Sequence, residues 1–519
     1  MTSFTERPPF DADFDTLVAQ ILEDWKVPGL SICVVHGSHT YSKAYGFAEL
    51  PDKLMTTDAS FQVGSLTKPL TAASMSMVIN DSKESDSPIT WDTPLSSIIP
   101  DDFVLADDYA TQHTTIEDAL SLRSGLPDHL WKYILGPRDG TVKDHVRSLR
   151  HMPITAPLRT KFQYSSHMYV AVTHALQERT GESLASIMKR RIWDPLGMNK
   201  TYFSVSEAEA DSANREKIVK GYTWIPGQDL PSVCACGQYY LASPPNFEAM
   251  TGAGAMVSNV LDYSHWIREL IERNGPLKDH DSLTKPRIVH FNSGDTSLPG
   301  PYHGYALGWV VENYRGETVY THSGGMPGFA SLVFFVPERH FGFVMMGNSG
   351  TAAHASMPLA VHLLDRLLGP SEDSHHQQKM KAYFEQLAGE RNMRMSPKPD
   401  VSVLKPFILP MLPDPPLPHV LPLEKYQGTY CHPADAYFTL VVVDGVLVAQ
   451  MSHSSVETEI VLTHASGEFF LGKLTAPVLG DLPPLPMEFY VDNSGTVRKV
   501  GLVVEASMGG DCIWFTRKE

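Results

Sequence analysis

Phe61-Gln62-Val63-Gly64-Ser65-Leu66-Thr67-Lys68-Pro69-Leu70 is the stretch on which the reading of the chain turns. An extended apolar run meets Gly64, a serine follows, and a lysine stands three residues further on. Thr71-Ala72-Ala73-Ser74-Met75-Ser76-Met77-Val78-Ile79 then continues as an uncharged helix. Ser65 falls in the first turn, and Pro69 is tolerated there because first-turn amides have no intrahelical partners. Residues three apart share a helix face, so the Lys68 amine reaches the Ser65 hydroxyl. A serine becomes a nucleophile when a neighbouring base takes its proton. A lysine serves as that base when burial lowers its pKa. Residues 69 to 79 carry no acid and no other base, which suits a desolvated Lys68. The alternative reading makes Ser65 a helix cap and Lys68 a surface cation, and S-x-x-K by itself is a short pattern that recurs by chance.

Working outward, the chain upstream predicts an amphipathic helix through Phe14, Leu17, Val18, Ile21, Leu22 and Trp25. Two strands follow, Leu30 to Val35 and Thr40 to Ala48, joined at His36-Gly37-Ser38. Downstream, Thr115 caps a short helix with Asp118 three residues on, and Ser124-Gly125-Leu126-Pro127 stops it. Phe162-Gln163-Tyr164-Ser165-Ser166-His167 leads into a helix from Met168 to Thr180. Residues 223 to 250 read as a long irregular segment bordering a site, with Tyr239 and Tyr240 as candidate walls. Strands are expected over Leu307 to Glu312, Glu317 to His322, Ala330 to Pro337 and Phe341 to Asn348. Such consecutive strands on short turns are antiparallel, and the helices come mostly from mid-chain, so the fold class is α+β: an antiparallel sheet flanked by helices. Residues 371–422 are a proline-rich linker with a charged helix near 377 to 391. From residue 423 to 519, about eight short strands, among them a hairpin at Asp444-Gly445, predict a small antiparallel β-barrel.

Bulk properties narrow the function. Lysines and arginines number 42 against 59 aspartates and glutamates, a net charge of −17. That balance is unsuited to nucleic acid or an anionic membrane. No apolar run reaches the ~18 residues of a membrane span. The acidic N-terminus lacks the apolar core of a signal peptide, so a cytoplasmic protein is expected. Five cysteines in 519 residues do not form a disulfide framework. Cys234-Ala235-Cys236 stands without a second pair, and no H-E-x-x-H occurs, so neither a metal nor another cofactor is called for. No G-x-S-x-G occurs either, which argues against an α/β-hydrolase.

A Ser/Lys pair needs a group that passes the proton to the leaving atom, and Tyr164 is the candidate. An acyl-transfer site also needs amides aimed at the developing oxyanion. The Ser65 amide offers one, and Gly325, after His322-Ser323-Gly324, offers the other. The plainer readings are a packed aromatic at Tyr164 and a hairpin turn at Gly324-Gly325.

Ser65-Leu66-Thr67-Lys68, Tyr164-Ser165-Ser166 and His322-Ser323-Gly324, in this order, resemble the three motifs of the serine β-lactamase and penicillin-binding-protein superfamily. The nearest branch is the class C-like hydrolases: esterases, D-amino-acid peptidases and acyltransferases. Val27-Pro28-Gly29, Pro195-Leu196-Gly197-Met198 and Tyr305-Ala306-Leu307-Gly308-Trp309 match as well. The resemblance covers about residues 10 to 370, and the tail resembles an appended lipocalin-like barrel. It implies a β-lactamase-like catalytic domain over 1–370 with an inserted helical region. Ser65 would be the acylated nucleophile, Lys68 its base and Tyr164 the proton shuttle. The Ser65 and Gly325 amides would form the oxyanion hole, with Ser166, His322, Ser323 and Gly324 lining the substrate. Ser166 stands where β-lactamases usually have asparagine and His322 where they have lysine, which implies poor antibiotic hydrolysis. The expected reaction is hydrolysis of a small ester, amide or thioester through an acyl-enzyme. Acyl transfer by the same intermediate, and a non-catalytic scaffold, are the alternatives. The partner is a small acyl substrate, and self-association is left open.

Overall fold

The computed structural model describes residues 8–519 except 138, 227–236, 243–249, 292–297, 299–301, 372, 397–400, 452–453, 455, 457 and 477–479. The cysteine pair at 234 and 236, and most of the expected irregular segment, lie outside the described residues. What is described of that segment includes a strand at Gln238–Ala242. It pairs antiparallel with Gly221–Ile225, where the sequence suggested irregular chain.

A nine-stranded antiparallel sheet organises the first part of the chain. Its strands are β1 (Gly29–His36), β2 (His39–Glu49), β3 (Lys53–Leu54), β4 (Ile288–Phe291), β5 (Tyr302–Tyr305), β6 (Val310–Tyr314), β7 (Glu317–Met326), β8 (Phe329–Val336) and β9 (Phe341–Gly347). Their spatial order is β3-β2-β1-β9-β8-β7-β6-β5-β4. The hydrophobic alternation of the central strands feeds two separate cores, because successive side chains point to opposite faces. Val333, Phe335, Val344 and Met346 join one core. Leu332, Phe334, Phe343 and Met345 join the other.

Helices cover both faces. On one lie α1 (Ala12–Asp24) and a later helix, Ala352–Leu368, which pack against each other and on β8 and β9. On the other lies α5 (Val260–Glu272), with α2 (Thr67–Ser82) and α4 (Ser166–Thr180) packed on each other in the same core, while the short α3 (Trp131–Leu135) reaches the tail at Ala436–Val443. The expected cap at Thr115 is present as a reciprocal capping box with Asp118. Gly181 ends α4 with φ of 70°, a left-handed residue that glycine supplies at little cost. Two boundaries differ from expectation, and two strands are additional. Strand β6 starts at Val310, since Gly308 turns the chain with φ of 82° where it packs on Pro69. Strand β7 runs on through Gly324 and Gly325 to Met326, paired with Ala330 and Ser331 of β8. Strands β4 and β5, short and bordered by loop, were not expected.

The linker is less irregular than its prolines suggest, since helices span Ser374–Met395 and Val401–Ile408. The tail then closes on itself. Strands β10 (Gly428–His432), β11 (Ala436–Val443), β12 (Val446–Gln450), β13 (Glu459–Ser466), β14 (Phe469–Ala476), β15 (Leu485–Val491), β16 (Val497–Leu502) and β17 (Ile513–Arg517) form the barrel. They follow the order β13-β12-β11-β10-β17-β16-β15-β14, and β14 pairs back to β13. Tyr426, Tyr430, Phe438, Phe470, Phe489 and Phe515 fill the interior. Among the described residues no helix is long and apolar enough to cross a membrane.

Candidate active site

Ser65 sits in a single 3-10 turn, Gly64–Leu66, that feeds directly into α2. Strand β7 passes so close that glycines are required. A Cβ on Gly324 would lie 2.0 Å from the Val63 carbonyl oxygen, and one on Gly64 would lie 2.6 Å from the Gly325 carbonyl oxygen. The Ser331 hydroxyl donates to the Val63 carbonyl at 3.0 Å, and the Tyr263 hydroxyl to that of Leu66 at 2.8 Å. The turn is therefore pinned on both sides. A Cβ on Gly325 would meet nothing within 4 Å, so that face of the strand looks onto open space beside Ser65.

Lys68 is completely buried. Its Nζ lies 2.9 Å from Ser65 Oγ, 2.9 Å from the Ala253 carbonyl oxygen and 3.4 Å from Ser166 Oγ. Burial pulls its pKa from the ordinary lysine range down to about 7, against the opposing pull of the Asp128 carboxylate. A neutral amine has two hydrogens and one lone pair. The Ala253 carbonyl and Ser166 Oγ accept the hydrogens, which leaves the lone pair for the Ser65 hydroxyl. Tyr164 donates its hydroxyl hydrogen to Ser65 Oγ at 2.7 Å. Its ring keeps a part-exposed edge, but desolvation, reinforced by the neighbouring Tyr305, pushes the phenol well above its ordinary pKa. It is thus a proton donor at neutral pH. Serine, lysine and tyrosine, 99 residues apart at the extremes, converge on one oxygen atom.

The remaining expected residues divide by strand alternation. Ser323 and the exposed Gly325 share one face of β7, while His322 and Gly324 face the interior. His322 is 3% exposed. Its Nδ1 lies 2.6 Å from the Ser323 carbonyl, so that nitrogen carries the hydrogen, and Nε2 accepts from the Tyr305 hydroxyl at 3.1 Å. Burial, with Lys68 nearby, pushes its pKa down to about 3, so the imidazole is neutral. Ser166 opens α4 beside Lys68.

Sequence reasoning missed the groups behind this front. Asp128 lies just past the quoted helix stop, yet its Oδ1 accepts the Ser166 backbone N–H at 2.6 Å. Desolvation raises its pKa, while the Ser166 amide and Lys68 oppose the rise. Tyr133, Tyr169 and Tyr305 complete the enclosure. Only the charge count within 69–79 bore on Lys68 in the sequence, and an acid 60 residues on leaves no local signal.

The fold and the pinned serine turn define a hydrolase of the β-lactamase type. The β-lactamase family model matches residues 14–366, and a domain of unknown function, DUF3471, matches 412–517. The chain belongs to the serine β-lactamase and penicillin-binding-protein superfamily. It is 33% identical to the unguisins hydrolase ungD' of Aspergillus campestris, over 98% of this chain and 92% of the relative. It is 23% identical to a D-aminopeptidase of Gluconobacter oxydans, over 78% of this chain and 71% of the relative. The octameric penicillin-binding protein homologue from Pyrococcus abyssi shares the fold with a TM-score of 0.58 at 19% identity, covering 97% of this chain and 99% of that one. The eight-stranded tail fits a lipocalin-like domain, and the chain is a serine hydrolase by its relatives.

Proposed function

We propose that the chain hydrolyses an amide bond in a small peptide or D-aminoacyl substrate through an acyl-enzyme on Ser65. The observation that carries the reading is the placement of Ser65 Oγ, 2.9 Å from the Lys68 amine and 2.7 Å from the Tyr164 hydroxyl. The neutral Lys68 amine takes the Ser65 proton as Oγ bonds to the substrate carbonyl carbon. The oxyanion is held by the Ser65 and Gly325 amides, a contribution of about 3–4 kcal/mol per donor. Tyr164 gives its proton to the departing nitrogen and recovers one from Lys68 as the C–N bond breaks. Water then attacks the ester, surrenders a proton along the same route, and frees the acid and Ser65.

Amide hydrolysis is favoured over ester cleavage and acyl transfer because the relatives bear the names of hydrolases and a D-aminopeptidase. Ser166 and Ser323 border the cleft in this reading, Gly324 lies behind it against the serine turn, and the neutral His322 brings no cation to it. The catalytic unit is residues 1–370, tethered by 371–422 to the barrel of 423–519. A cytoplasmic location and self-association complete the proposal; an octameric homologue supports the second, which light scattering on the purified chain checks.

A fluorophosphonate should add one covalent mass to the peptide containing Ser65. Ser65→Ala should lose the label and keep the native circular dichroism spectrum. Unchanged labelling of that variant rejects the nucleophile.

A further inference from the structure

Helix α4 opens without a cap of its own, because the Ser165 side chain makes no capping bond. Its first amides need acceptors from elsewhere. Asp128 supplies one from outside the helix, at 2.6 Å from the Ser166 nitrogen. Five residues along the same segment, the Tyr133 hydroxyl stands 3.0 Å from His167 Nδ1 and also meets the Ser166 hydroxyl. His145 Nε2 lies 2.7 Å from the same His167 nitrogen. Burial keeps both imidazoles neutral, with His145 pushed down to about 3.

One arrangement fits these contacts with the Ser166 proton turned away from Lys68: Tyr133 O–H and His145 Nε2–H share the single lone pair of His167 Nδ1. In it the Tyr133 oxygen accepts the Ser166 proton, and the Ser166 oxygen accepts a Lys68 N–H. Were Ser166 to turn its proton toward Lys68, it would compete with Ser65 for the lone pair. We propose that Asp128 and Tyr133 are positioning residues, which hold the backbone and hydroxyl of Ser166 so that the Lys68 lone pair faces Ser65, with Asp128 setting a negative charge opposite the amine. The proposal rests on the reading of Lys68 as base, which Lys68→Met tests by itself: a variant that still labels at the wild-type rate removes the base, whatever Asp128 does.

The titratable groups around Asp128 are Lys68, Tyr133, Tyr164, His167 and Glu505; Tyr169 and His322 also face Lys68. Of these groups Asp128 is the acid whose carboxylate opposes the loss of charge at Lys68. Acylation should rise with pH as Lys68 loses its proton. Asp128→Asn keeps an acceptor for the Ser166 amide and removes the charge, so the acidic limb of the acylation profile should move down by about one pH unit. A merely structural role would lower the plateau and leave the limb in place, and a limb that stays put overturns the charge role. Asp128→Ser, short and uncharged, gives the same reading should the asparagine variant fold poorly. Tyr133→Phe and Ser166→Ala should each lower the acylation rate about tenfold, the worth of one hydrogen bond in such a chain. The double variant should lose no more than either alone, whereas additive losses or no loss overturn the relay.

Discussion

Where β7 passes Ser65 the chain strips side chains away, whereas inside the barrel it packs them to the limit. Gly64, Gly324 and Gly325 bring two backbones together and leave open space on one side. The barrel instead fills its axis with aromatic rings, Phe489 lying 4.9 Å from Tyr426 and 5.3 Å from Phe470. Both regions are built from antiparallel sheet. The difference lies in what is buried: around Ser65 it is a lysine, a carboxylate, four phenols and an imidazole, and in the barrel it is mostly hydrocarbon. Burial of apolar rings yields stability and little else. Burial of the amine yields a base near neutral pH, at the expense of the charge's hydration.

Gly324→Ala is the sharpest way to break that contrast. The added methyl would sit 2.0 Å from the Val63 carbonyl and 2.4 Å from Ser331 Oγ, so β7 must leave the serine turn. If the Gly325 amide is the proposed oxyanion donor, losing its alignment should cost about 10²–10³-fold in acylation rate, measurable by fluorophosphonate kinetics on folded protein. The mirror experiment is Phe489→Ala. A ring 2% exposed inside the barrel should cost about 3–5 kcal/mol in denaturant unfolding. Acylation by the folded fraction should stay within about twofold of wild type. A barrel variant that silenced Ser65 while folded would mean that the barrel interior reaches the site through its contact with α3.

The contrast also separates what could be read from sequence from what could not. Ser65 and Lys68 are three residues apart on a helix, so their meeting is a local consequence of helical geometry. The Thr115 capping box and the Asp444-Gly445 hairpin are local in the same sense. Tyr164 needed the family resemblance, because nothing in its neighbourhood specifies a partner 99 residues away. Gly324 and Gly325 were open to reading as a turn since glycine marks turns and close approaches alike; only the pairing with Ser331 and Ala330 shows a continuing strand. Asp128 and Tyr133 were not legible at all. Their roles arise when α4 is laid across α2, which no periodicity encodes. The strand at Gln238–Ala242 was hidden by its short length, and β4 and β5 by their brevity between loops.

A smaller effect probes the seam between the regions. Trp131 of α3 packs on His432 and Phe515, at ring separations of 4.8 and 5.9 Å. Next to it Lys132, 5% exposed, donates from Nζ to the Ala434 carbonyl at 2.5 Å and to that of Asp435 at 3.3 Å. This second buried lysine therefore ties the segment carrying Asp128 and Tyr133 to the barrel. Burial lowers its pKa to about 8, with Asp435 and Asp144 resisting. The folded value lies below the unfolded one near 10.4. Below pH 8 the folded chain bears the full cost of the buried charge, and that cost fades as pH rises toward the unfolded value. Lys132 should accordingly add a rising contribution to stability between pH 8 and about 9.5, opposed above about pH 8.5 by Cys33 and Cys512, whose folded thiols are pushed up to about 12 and about 11. Lys68 contributes in the same direction as Lys132 from about pH 7 upward, so the two amines add in the wild-type slope and the two thiols subtract from it. Lys132→Met keeps the length of the chain, removes one titrating group and leaves two carbonyls to water. Its net change at pH 7 should be on the order of 1 kcal/mol, because relief of the charge and loss of two hydrogen bonds oppose each other. The measurable signature is slope: denaturant midpoints taken every half unit of pH should rise less steeply in the variant. An unchanged slope would mean that the Lys132 amine keeps its ordinary pKa, and with it the hydration of an open seam.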